Sequence, residues 1–113
     1  MDTISLTTGA PAATIQAYEI RDRSNVSHTG HLDSVVIEVA ALTGTLAITG
    51  RLEGSDAAGY PLAYEDMGAG EAVAGGTAID AVGLYRIPAD QCDVILTLTG
   101  TSATVHYSAV HGG

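Results

Sequence analysis

The chain has no phenylalanine, no tryptophan, no lysine and a single cysteine among its 113 residues. Each absence closes a class of function. One thiol forms no intrachain bridge, so this is not a disulfide-stapled secreted scaffold. That thiol, Cys92, follows Asp90 and precedes Asp93, whereas a nucleophilic thiolate needs an adjacent base and an electropositive setting. It reads as a small buried hydrophobe. The five tyrosines are the only rings. A core of Val, Ile, Leu and Ala in so short a chain leaves limited stability in isolation, which oligomerisation would supplement. The four basic residues (Arg21, Arg23, Arg51, Arg86) stand against 13 acids, for a net charge of −9. Such a surface repels phosphate backbones and argues against nucleic acid as a partner. It fits an acid-biased proteome, avoidance of packaged nucleic acid, or attraction to a basic partner surface. No apolar run approaches the roughly 18 residues of a membrane span. The opening MDTISLTTGAPAAT has an acid at position 2 and lacks the basic and apolar regions of a signal peptide.

What is present is strand grammar. From Ser34 to Gly59 the chain reads SVVIEVAALTGTLAITGRLEGSDAAG. Val35, Ile37 and Val39 alternate with Ser34, Val36, Glu38 and Ala40, and Leu46, Ile48, Gly50 and Leu52 alternate with Thr45, Ala47, Thr49, Arg51 and Glu53. Period-two alternation with β-branched enrichment marks strands that bury one face. The intervening Leu42-Thr43-Gly44 predicts a tight turn, making this stretch a hairpin followed by a polar loop. Further strands are expected over 14–20, 60–66 and 81–88, with a short one over 77–80. The end of the chain reads as a second hairpin, in which Cys92, Val94, Leu96 and Leu98 share a face. Gly100-Thr101-Ser102 then reverses the chain, and Ala103, Val105, Tyr107 and Ala109 face inward. Residues 67–76 carry four glycines and predict a surface excursion. Strand signals recur about every eight to twelve residues, the spacing of a sandwich or barrel. No helix is expected. The fold class is all-β: a single small antiparallel β-sandwich of seven to eight strands, jelly-roll or immunoglobulin-like. Residues 1–13 form an extended N-terminal arm or edge strand, in which Ile4 and Leu6 point the same way, and 14–113 form the sandwich.

No catalytic constellation emerges. His28, His31, His106 and His111 lie in two pairs, without the three or four suitably spaced ligands of a zinc site. Glu53, Asp56, Glu65, Asp66 and Glu71 gather around two loops without calcium-loop spacing, and read as solvated acids. The glycine-rich 68–76 segment lacks the Lys-Ser/Thr and following helix of a phosphate loop. Neither a cofactor nor a metal is expected, and the chain does not read as an enzyme.

Two segments carry a family resemblance. Gly44–Leu62, GTLAITGRLEGSDAAGYPL, and Gly83–Val110, with GLYRIP and CDVILTLTGTSATVHY, resemble small β-sandwich virion proteins of tailed bacteriophages, of the capsid decoration or cement type. The resemblance implies a structural protein on the outer capsid surface, assembled in the host cytoplasm. Its partner would be the major capsid protein, bound by a homo-oligomer (dimer or trimer), with no nucleic acid or membrane contact. Contacts are expected from the arm, through Ile4 and Leu6, and from loops bearing Arg21, Arg23, Ser55 and Asp56. The alternative is a tail or head-fibre module that binds a receptor or carbohydrate, with Tyr60, Tyr64 and Tyr85 as the available rings.

Overall fold

The computed structural model describes residues 2–16, 18–20, 29–52, 55, 58–90 and 92–112, of which 18–20, 29–32 and 110–112 through their main chain. The fold is all-β, and every strand pairing is antiparallel. Nine strands are present among the described residues: β1 (Asp2–Thr7), β2 (Ala12–Ile15), β3 (Tyr18–Ile20), β4 (Thr29–Leu52), β5 (Tyr60–Pro61), β6 (Tyr64–Asp66), β7 (Glu71–Val73), β8 (Gly83–Pro88) and β9 (Cys92–Gly112). Their order is β1-β9-β4-β8-β6-β7, with β2 added to β9, and β3 and β5 added to β4.

The two expected hairpins are not hairpins. β4 runs without reversal for 24 residues and β9 for 21, and the two pair with each other from His31–Gly112 to Leu52–Cys92. The glycines read as turns face each other inside this ribbon, Gly44 opposite Gly100. Both have left-handed φ angles, +127° and +143°, which an L side chain adopts only under strain. A Cβ built on Gly44 would lie 2.8 Å from the Gly100 Cα, too close for any real side chain. The glycines serve close backbone approach between neighbouring strands.

The inward set changes phase along both strands, and the register gives the cause. Ala40 is left over on β4 between the pairs Val39–Val105 and Ala41–Thr104, and Thr101 on β9 between Thr43–Ser102 and Gly44–Gly100. Each extra residue is a bulge, and one extra residue shifts the inward set by one position. Val35, Ile37 and Val39 are buried before Ala40, and Leu46 and Ile48 after it. On β9 the buried set passes from Val94, Leu96 and Leu98 to Ala103 and Val105. A third irregularity leaves Asp33 over between the pairs Leu32–His111 and Ser34–Val110. From Ser34 onward, with Ala40 left over on β4 and Thr101 on β9, inward faces inward along the ribbon.

One core results. Val35, Ile37, Leu46, Val94, Leu96 and Val105 are fully shielded from solvent and belong to one apolar cluster with Tyr64, Ile79, Tyr85 and Ile87. No helix covers this face among the described residues. Residues from both ends of β4 and β9 share this core, so the sheet covers itself. The stretch expected as one strand over 60–66 is split into β5 and β6 around Leu62 and Ala63, and Thr77–Asp80 contributes only the bridge Leu46–Ile79. The glycine-rich stretch holds the short strand β7, which pairs with β6.

Candidate interaction surface

The face of the β1-β9-β4-β8-β6 portion turned away from the core is set by the same alternation. In register across β8, β4 and β9 lie the rows Leu84–Glu38–His106 and Arg86–Val36–Ser108. Strands spaced about 4.8 Å apart bring such row neighbours into contact range. Val36, Glu38, Leu84, His106, Tyr107 and Ser108 line an open groove of about 290 Å³. β1 closes one side, with Thr3 opposite His106, and the Thr3 hydroxyl and His106 Nδ1 share a hydrogen bond of 3.0 Å. On the other side the Met67 amide donates to the Leu84 carbonyl at 2.9 Å, extending the β6–β8 ladder. Leu84 is 41% exposed, Met67, whose amide binds its carbonyl, 40%, and Val82, two residues before Leu84, 59%. The Glu38 carboxylate at its centre is exposed and has no hydrogen bond or ion pair among the described residues. A second, smaller groove of about 210 Å³ beside β5 is lined by Ala47, Ile48, Thr49, Pro61, Gly76 and Thr77 among others, and carries no ionisable group.

The residues singled out from sequence fall elsewhere. Leu6 is 2% exposed and belongs to the core, and Ile4 is half-buried against it. A partner could reach the Leu6 side chain only if β1 left β9. Ser55 is half-buried, its amide donating to the Leu52 carbonyl at 3.0 Å. Arg21, Arg23 and Asp56 lie outside the described residues, as do His28 and Glu53. Asp66 and Glu71 pair across β6 and β7. Asp66 Oδ1 also accepts the Ala69 amide at 3.1 Å, as a turn residue does. Among the described residues no three His, Cys, Asp or Glu side chains converge as metal ligands would.

No family model, curated protein or solved structure matches this chain. Its site is therefore read from its own geometry.

The tyrosines divide sharply. Tyr60 is 72% exposed, whereas Tyr64 and Tyr85 are inside the core. Their rings pack edge to face, with centroids 5.8 Å apart and planes at 77°. Each hydroxyl donates to a carbonyl: Tyr64 to Thr77 at 3.0 Å and Tyr85 to Ala81 at 2.8 Å. Burial raises both phenol pKa values above the ordinary 10.0, and the nearby Asp66 and Asp80 carboxylates add to it. A sugar-stacking surface built on three rings is thereby reduced to one. The groove was missed because its residues come from three strands distant in sequence. Its local trace was the apolar Val36 and Leu84 at outward positions.

Proposed function

We propose that this chain is a virion structural protein of the capsid decoration type, which stabilises the outer surface of a tailed-phage head by surface complementarity. The β-sandwich reading belongs to the same proposal, since both halves of the β4–β9 ribbon feed one core. The observation that carries it is the open groove of the outer face, lined by Val36 and Leu84 with Glu38, His106 and Ser108. It is apolar, shallow and built on paired strands, as a surface that meets another folded surface requires. Attachment as a dimer or trimer to the major capsid protein follows from the resemblance in Gly44–Leu62 and Gly83–Val110. The rival reading, a receptor- or carbohydrate-binding tail module, keeps Tyr60 as its exposed ring.

Sedimentation of the chain alone, then mixed with capsid particles of its own genome, tests the proposal. An oligomer that co-sediments at saturating stoichiometry and raises the shell's resistance to heat is the expected outcome. A monomer that leaves shells unbound but binds cells or glycans would replace it with the tail-module reading.

A further inference from the structure

Glu38 is a carboxylate set in an apolar groove. Val36 and Leu84 flank it, Tyr107 forms part of the wall, and His106, across the strand, shares its Nδ1 with Thr3. Arg86 is one diagonal step away, opposite Val36 and in register with Glu65 on its other side, and makes no ion pair with Glu38. The chain is poor in cations of its own, with four arginines and no lysine against 13 acids. Of these, Arg51 is near Asp93, 3.9 Å from Nε to Oδ2. Covering this face with an apolar partner would strip water from Glu38 without compensation, which is costly. A partner that brings a cation removes that cost. The long stem of lysine or arginine suits the groove, since such side chains lay methylenes on apolar surface and present charge at the tip.

We infer that the groove receives a basic side chain of a partner protein, its aliphatic stem on Val36 and Leu84 and its cationic head at the Glu38 carboxylate. The inference rests on the reading that the chain acts by surface complementarity, and it names the partner's chemistry: an apolar protein surface carrying a lysine or arginine. A second copy of this chain is a poorer occupant, because it carries the same net charge of −9 and no lysine.

The test is an NMR titration of the full chain, labelled on its amides, with a short capped peptide alternating leucine and lysine. The same peptide with glutamate in place of lysine is the control. Shifts centred on Val36, Glu38, Leu84, His106 and Ser108 are expected. They should weaken about tenfold in Glu38→Gln, fall as salt is raised, and be absent with the control peptide. Leu84→Ser removes the wall without touching the charge and should weaken the same signals. An unchanged melting temperature certifies that each variant is folded. Shifts spread over other acids of the surface, or insensitive to Glu38→Gln, would overturn the inference. Shell co-sedimentation of Glu38→Gln separates the two readings. Peptide binding in the groove without shell binding by the wild-type chain leaves the inference and removes the capsid proposal. Shell binding undiminished by Glu38→Gln, with no peptide in the groove, does the reverse.

Discussion

At the residue scale, the positions that tolerate least are Gly44 and Gly100. An alanine at Gly100 would need a left-handed φ of +143° and would bring its Cβ to 2.7 Å from the Gly44 Cα. Backbone cannot yield there as a flexible side chain does. Gly100→Ala is expected to cost about 3 kcal/mol or more, in the class of severe backbone and packing lesions, read as a lower urea midpoint at constant slope. A cost below about 0.5 kcal/mol, the level of ordinary surface changes, would mean that the strands do not approach so closely. Tyr64 and Tyr85 set a pH limit. Burial raises their folded-state pKa values above the unfolded 10.0, so between the two values the unfolded chain loses protons that the folded chain keeps. Their contribution is fully present below pH 10 and is lost as pH rises through the folded values. Melting temperatures followed from pH 9 upward should therefore fall from about pH 10, and less steeply in the Tyr64→Phe/Tyr85→Phe double variant. Equal slopes in both proteins would assign the alkaline loss to other groups.

At the element scale, β1 decides how a truncation experiment is to be understood. The strand pairs with β9 from Asp2–Tyr107 to Thr7–Ser102 and carries Leu6 into the core. Its outward Thr3 also meets His106 beside the groove. Removing residues 2–12 takes away the six β1–β9 pairs and the Ala12–Thr97 pair and leaves an unfilled apolar site, and burying a leucine is worth about 2 kcal/mol by itself. The truncated chain is expected to melt at a clearly lower temperature, so any accompanying loss of shell binding would report on folding as well as on contact. A truncated chain as stable as the full one would restore the reading of these residues as a detachable arm. A Thr3→Val variant, which keeps the strand and removes the hydroxyl, isolates the His106 contact.

At the scale of the whole molecule, charge is the dominant feature. A net charge of −9 sits on a body with a radius of gyration of 13.8 Å. The Debye length is about 10 Å at 0.1 M salt, comparable to that radius, so repulsion reaches across the molecule at low ionic strength and is screened above it. The melting temperature is expected to rise with sodium chloride from low millimolar concentration upward, while binding of a basic partner weakens over the same range. A melting temperature that fell with salt would show that local ion pairs outweigh the global repulsion. Opposite salt trends for stability and binding are what an acidic chain with a basic partner should display.

The sequence by itself determined the strand content, the absence of expected helix and most of the inward-facing residues, because period-two alternation is a local property of each strand. Val35, Ile37, Leu46, Leu96 and Val105 were legible in this way. It could not decide between a turn and a close strand-to-strand approach at Gly44 and Gly100. Glycine serves both, so the distinction rests on which distant strand lies alongside. Only the tertiary structure paired β4 with β9 throughout and turned two expected hairpins into one continuous ribbon. The same limit hid the site. Tyr60, Tyr64 and Tyr85 looked alike in sequence, yet two are core and one is exposed, because β5 sits at a margin while β6 and β8 face the interior. Glu38 was one acid among 13. Its place between Leu84 and His106 comes from the register of three strands, a relation that exists only once the chain has folded.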